Sequence, residues 1–290
     1  MAKLNEIKEQ KIVVASVGNF SNSLQQIATM RMVSLRKSVL DSRRFVDEAT
    51  MVLKELKREK KRQFMEELHR VDKKFKIPKT NRKAIIVVSS YQGLCGSYNT
   101  EIAAKLEKIV PKNQDSDFFV IGSKGQDIFR KFQRKMPHLK FYPYDIPEEV
   151  SIDDLRRLIT MFVYYDSVHL VYSKYINTSK REVVYLELAE PVVDVDDDTD
   201  KHKMEGRYMF EPNIDKLIDT VASKLRYALF RQQILDSKLS LYSAQMLAMQ
   251  TASDNAKDLL KELQMEYNKA RRKLIDKKIQ EVQAGRALWA

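Results

Sequence analysis

Residues 235–274 read LDSKLSLYSAQMLAMQTASDNAKDLLKELQMEYNKARRKL, and their spacing decides the fold. Taken in alternating steps of four and three, the series is Leu235, Leu239, Tyr242, Met246, Met249, Ser253, Ala256, Leu260, Leu263, Tyr267, Ala270 and Leu274. Only Ser253 in it is polar. A 3.5-residue period sustained this long predicts a left-handed coiled-coil helix rather than the surface helix of a compact domain. The seam is rich in Ala, Met and Tyr, side chains suited to a slim shaft with adaptable outer contacts.

The opposite end of the chain answers this arm. Val13, Val17, Phe20, Leu24 and Ile27 keep the same spacing. After a one-residue slip it resumes at Ala28, Met32, Leu35, Val39, Ser42, Val46, Ala49, Leu53 and Leu56. All seven prolines lie between Pro78 and Pro212. Each proline-free arm can therefore form a helix of roughly 110 Å at about 1.5 Å per residue. Charge follows the same division. Residues 1–77 hold 18 Lys+Arg against 10 Asp+Glu and residues 213–290 hold 14 against 9, whereas the middle is nearly balanced. The arms thus predict an acidic partner. Two stretches are suited to a protein sleeve: residues 10–40 lack any acid, and residues 239–253 lack any charge. Burial of the second stretch under the chain's own middle domain is the competing reading.

The middle alternates strand and helix. Ala84–Val88 and Phe118–Ile121 are short apolar runs of the kind found in buried parallel strands, with further strands expected at 168–175 and 183–188. Helices are expected at 98–108, 122–135 and 150–164. This pattern predicts a Rossmann-like, partly parallel sheet. The expected organisation is an N-terminal coiled-coil helix over 1–77, an α/β domain over 78–212 and a C-terminal coiled-coil helix over 213–290. The two helices would pair antiparallel within the chain; dimerisation of each arm with another copy is the competing reading.

Chemistry is sparse. Gly93, Cys95 and Gly96 mark a tight strand-to-helix turn, but neither G-x-G-x-x-G nor G-x-x-x-x-G-K-[ST] is present. His69, His138, His169 and His202 show no ligand spacing, and the acidic run 194–200 lacks the glycine and closing glutamate of a calcium loop. The basic run 54–83 has few aromatics for base stacking and reads as a solvated helix end. Cys95 stands alone, so no disulfide within the chain is possible. No apolar secretory core and no apolar run of membrane-spanning length appears. These features predict a cytoplasmic, non-catalytic protein without cofactor or metal, and weigh against nucleic acid as a partner.

Several segments resemble one family. Gly93-Leu94-Cys95-Gly96-Ser97-Tyr98-Asn99 is similar to the G-L-C-G-G-x-N signature of F-type ATPase γ subunits. The stretch from Met246 to Ala256 is similar to their M-x-A-M-x-x-A-T-D-N-A, and residues 262–271 match the E-L-Q-x-x-Y-N-K-A-R that follows. Met30-Arg31-Met32-Val33 and Lys174 to Thr178 resemble further family motifs. The resemblance implies a rotor shaft inside a ring of three α and three β subunits. Its α/β domain would lie outside the ring, near an ε-type subunit and a membrane rotor. Met30, Arg31, Met32, Lys37, Met246, Met249, Asp254 and Asn255 would then meet the ring, and Leu288 and Trp289 would sit in a terminal bearing. Ala28, Arg31, Leu241, Gln245 and Gln250 stand where the family carries other, mostly charged, residues. The departures imply a ring altered to match. A coiled-coil adaptor joining an α/β domain to cytoskeleton or membrane is the alternative reading. A nucleic-acid tether is a third.

Overall fold

The computed structural model describes residues 2–66, 82–146, 160–188 and 213–287. Its long elements are α1 (Ala2–Glu66) and α4 (Ile214–Ala287). Between them lie β1 (Lys83–Val88), α2 (Tyr98–Ile109), β2 (Asp117–Ile121), α3 (Ser123–Lys135), β3 (Phe141–Tyr144), β4 (Ser167–Tyr175) and β5 (Arg181–Glu187). The expected helix at 150–164, the acidic run 194–200 and Leu288 and Trp289 fall mainly or wholly outside the described residues. The chain forms long terminal helices with an inserted α/β domain. It divides into two compact units, one of Met1–Arg31, Leu94–Gly96 and Tyr242–Ala290, the other of Met32–Gly93 and Ser97–Leu241.

In the first unit the two helices run antiparallel. Lys11 bonds Gln264 and lies over the ring of Tyr267, Gly18 faces Ala256, and Arg31 meets Tyr242. The predicted α4 seam holds throughout, with Met249, Ser253, Ala256 and Leu263 buried. The α1 side differs from expectation. Val13, Val17, Phe20 and Ile27 are exposed, while Ile7, Ser21 and Ala28 are buried. The heptad therefore runs unbroken through Ile7, Val14, Gly18, Ser21 and Ala28, without the predicted slip. The reason is steric: a Cβ on Gly18 would lie 3.2 Å from Ala256 Cβ, so the helices meet through small side chains and large ones are turned outward. Gly18→Leu should cost about 1–3 kcal/mol by overpacking, read as a lowered melting midpoint by circular dichroism.

In the second unit the α1–α4 seam is conventional. Val39 packs with Leu235 and Leu239, and Val46 and Leu53 pack with Ala222 and Leu225. The sheet order is β3-β2-β1-β4-β5, parallel except for the β4–β5 pair. Strand β1 shows how the sheet is held. Ala84, Ile86 and Val88 join a core with Phe119, Leu170, Phe230 and Ile234, so α4 covers that face. The alternate residues point to the other face, where the Phe118 ring packs tilted against Phe129 of α3, centroids 5.1 Å apart. The crossovers β1-α2-β2-α3-β3 advance in one direction, which puts α2 and α3 together on that side. Strand β3, unforeseen in the sequence, is an edge strand. Its Pro143 breaks the expected pattern, and a proline is tolerated there because an edge strand has ladder positions without a partner.

Hydroxyl pairs tie the α/β domain to α4. Tyr98 Oη and Ser237 Oγ are 2.8 Å apart, and Ser173 Oγ and Ser240 Oγ 2.7 Å. Beside them Arg43 Nη2 donates to Asp236 Oδ1 at 2.8 Å. Burial raises the Asp236 carboxyl pKa above its ordinary 3.8, although Arg43 and Lys174 pull it down. Burial also pushes the neighbouring Tyr172 up to about 12, with help from the Asp236 charge. A carboxyl with a raised folded value holds its proton more tightly when native. Its contribution to stability is present below pH 3.8 and is lost as pH rises through the raised value. Asp236→Asn should therefore be within about 1 kcal/mol of wild type at neutral pH, whereas Arg43→Ala, which strands the buried charge, should cost about 2 kcal/mol. Urea titrations at acid and neutral pH check both, and equal losses in the two variants would refute the asymmetry.

Candidate partner-binding face of the helical unit

The outward turning of large side chains on α1 creates the principal candidate site. Ile12 is 60% exposed, Val13 61%, Phe20 59% and Met30 72%, with Val17 and Ile27 also exposed. The spacing of Val13, Val17, Phe20 and Ile27 keeps them on one stripe, on the side of α1 away from α4. No acidic residue interrupts this part of the helix. A run of large apolar side chains on a helix whose own core is already complete is the signature of a surface awaiting a protein partner. The sequence reading missed this stripe by assigning four of its residues to the seam. The missed signal was the parallel small-residue series at Gly18, Ser21 and Ala28.

The candidate contact residues fall into distinct settings. Met30 projects outward, as do Lys37, Asp254 and Asn255. Asp254 takes an ion pair from Lys257 at 3.0 Å. Arg31 lies with its guanidinium carbon 5.5 Å from the Tyr242 ring centroid, and its Nη1 is 3.4 Å from the Tyr242 hydroxyl. Met246 is half-buried and Met249 buried, both on the α4 seam. Met32 is half-buried against the Val39–Leu235–Leu239 cluster in the second unit.

The Gly93–Gly96 turn serves packing. Leu94 (φ 61°) and Gly96 (φ 56°) are the left-handed residues; Gly93 is not. A Cβ on Gly96 would meet Ala248 Cβ at 3.4 Å and Ala244 O at 3.9 Å, so the glycine lets the turn approach α4 closely. Cys95 is buried in the same turn. The neighbouring α2 is anchored by Arg181, which donates from Nε and Nη2 to the two Glu101 oxygens, each at 2.8 Å. The charge-free run is partly explained by the fold. Leu239 lies in the α1–α4 seam and Ser240 pairs with Ser173 of β4, so the chain's own domain covers its start. Among the described residues no helix is long and apolar enough to cross a membrane.

Comparisons with known proteins give the chain's family and fold. A family model described as ATP synthase matches residues 3–287. The chain is 24% identical over 297 residues to the ATP synthase gamma chain of Halothermothrix orenii, covering 98% of each. It is 26% identical over 309 residues to that of a Psychrobacter species, covering 99% of each. Among solved structures, a chain of the Tetrahymena thermophila mitochondrial ATP synthase central stalk and c-ring superposes with a TM-score of 0.55 at 18% identity. The match covers 81% of this chain and 99% of that one. A chain of the Euglena gracilis mitochondrial ATP synthase rotor gives 0.57 at 15% identity, covering 94% and 99%. At these identities the structural matches speak to the fold.

Proposed function

The chain belongs to the ATP synthase gamma-chain family, and on that premise we propose how its residues perform as the rotor shaft of an F1-type motor. The shaft is a non-catalytic subunit: it carries rotation while the chemistry belongs to the surrounding ring. The exposed apolar stripe of α1 supports this reading most strongly. Ile12, Val13, Val17, Phe20, Ile27 and Met30 are large, outward and uninterrupted by acid, as a sleeve-lined bearing requires. Arg31 and Lys37 on α1 and Asp254 and Asn255 on α4 add polar contacts, with Met246 at the edge of the seam. Met249 acts by shaping the seam that carries the stripe, and Met32 by shaping the seam of the second unit. By the family resemblance alone, Leu288 and Trp289 would sit in a terminal bearing.

An asymmetric shaft can bias a ring subunit only by the difference between its contacts with that subunit's conformations. Apolar side chains supply area without a fixed partner, so the stripe can slide past successive subunits. Charged contacts supply angular preference, because a mismatched charge is costly in a desolvated interface. The replacement of the family's charges by Ala28, Arg31, Leu241, Gln245 and Gln250 supports a ring altered to match. The α/β domain is left for an ε-type subunit and a membrane rotor or its substitute.

The deciding experiment is a tagged purification from cells at native expression, with subunit stoichiometry and ATPase assay. Recovery of one shaft per three α-type and three β-type subunits, with ATPase activity, is expected. Recovery as a lone homodimer without ATPase would overturn the proposal in favour of the adaptor reading. Substitution of this shaft into an ordinary ring should give weakened torque; full torque would remove the case for a matched, altered ring.

A further inference from the structure

Helix α3 carries a second surface, apart from the apolar stripe of α1. From 124 to 140 the chain holds Lys124, Arg130, Lys131, Arg134, Lys135 and Lys140 against a single acid, Asp127. Asp127 is engaged by Arg130 at 2.9 Å and approached by Lys124 at 3.9 Å. Lys131, Arg134, Lys135 and Lys140 are exposed and make no ion pair among the described residues. Phe129 on the same helix is fully buried, so the apolar side of α3 is committed to the sheet and the cationic side is free.

A purely structural role does not account for the ridge. Cations in the last turn, Arg134 and Lys135, do favour the helix dipole. But Arg130 with Arg134, and Lys131 with Lys135, are like charges at i,i+4, which weaken a helix. The ridge lacks the exposed aromatic and apolar anchors of a protein–protein interface and is rich in lysine, which such interfaces avoid. It also lacks exposed aromatics for stacking bases. A broad layer of negative charge that needs no insertion fits it best.

We propose that the α3 ridge, Arg130, Lys131, Arg134 and Lys135 continuing to Lys140, docks on anionic lipid headgroups. This rests on reading the chain as the shaft of a membrane-attached motor. The contact is electrostatic and shallow, because the apolar side of α3 remains in the core. It would hold the α/β domain near the bilayer and be released by salt within a Debye length.

The test is flotation of the full-length chain with phosphatidylcholine vesicles, with and without phosphatidylglycerol, at low and high salt. Because the arms are also basic, the ridge variant K131Q/R134Q/K135Q is compared with a charge-matched variant of exposed α4 residues, R272Q/K273Q/K278Q. Each ridge cation is worth about fivefold, so the ridge variant should lose on the order of a hundredfold in partitioning to anionic vesicles. The α4 variant should lose far less. The melting temperature of the ridge variant should be nearly unchanged, since the like-charge pairs it removes offset the helix-dipole contacts it loses. Equal losses in the two variants would overturn the proposal. So would a lowered melt in the ridge variant, or retained vesicle binding with loss of binding to a single-stranded RNA oligonucleotide or of co-purifying motor subunits. Co-purification of the ring is read separately, so failure of the lipid contact is distinguishable from failure of the shaft reading.

Discussion

Glutamate at both Val17 and Phe20 is expected to abolish recovery of the ring subunits while leaving the helices folded. Both side chains are more than half exposed in the free chain and lie away from α4. Neither contributes to the seam, and glutamate favours helix at least as well as valine or phenylalanine. Inside an apolar sleeve each new carboxylate is desolvated without a partner. Even a modest penalty of about 2 kcal/mol per group amounts to roughly a thousandfold in affinity for the pair. Lost apolar burial adds to this. Tagged purification reads the association and far-ultraviolet circular dichroism reads the fold. Undiminished recovery of ring subunits with the double variant would sink the assignment of this stripe as the bearing.

Gly122→Ala should be the most destabilising single-methyl change in the α/β domain, costing about 3 kcal/mol. Gly122 links β2 to α3 at φ 93°, a region that a Cβ penalises. The added Cβ would also lie 2.6 Å from Ser89 O and 2.8 Å from Ser90 O. Those carbonyls belong to backbone held by its own bonds. Ser89 N donates to Ile121 O at 2.9 Å, and Lys124 N donates to Ser90 O at 3.0 Å. Neither can retreat without breaking the β1–β2 junction. Gly93→Ala is the matched control. It has no positive φ, and its nearest neighbour would be the flexible Lys124 Cε at 4.0 Å. That change should be neutral or slightly stabilising through the unfolded chain. A urea midpoint for Gly122→Ala as high as that of Gly93→Ala would contradict the steric account.

Much of the molecule was legible in the sequence because its signals are periodic and local. The α4 seam was read in full, since its apolar residues recur at every step while its outer face is polar along most of its length. The β1, β2, β4 and β5 strands were read from short apolar runs bounded by turns. Strand β3 was not, because Phe141-Tyr142-Pro143-Tyr144 has neither the run nor the alternation of a buried strand. Its place is set by parallel pairing with β2. The family motifs in the turn and in α4 were equally plain, yet a motif does not say which side of a helix a residue occupies. The four-three spacing supplied that here, putting Met246 and Met249 on the seam and leaving Asp254 and Asn255 off it, and their burial agrees.

The seam of α1 marks the limit of sequence reading. Large apolar residues lie on both sides of this helix, so hydrophobicity alone favours Val13, Val17, Phe20 and Ile27 for the core. The tertiary structure assigns the core to Gly18, Ser21 and Ala28 instead, because α4 approaches too closely for anything larger. Sequence by itself determined the class of fold, the antiparallel arms and the inserted sheet, all of which follow from period and punctuation along one chain. Which face of α1 is buried, and hence which residues are left for a partner, was decided only by packing. That choice depends on the size of the side chains opposite, a property of two segments brought together and of neither alone.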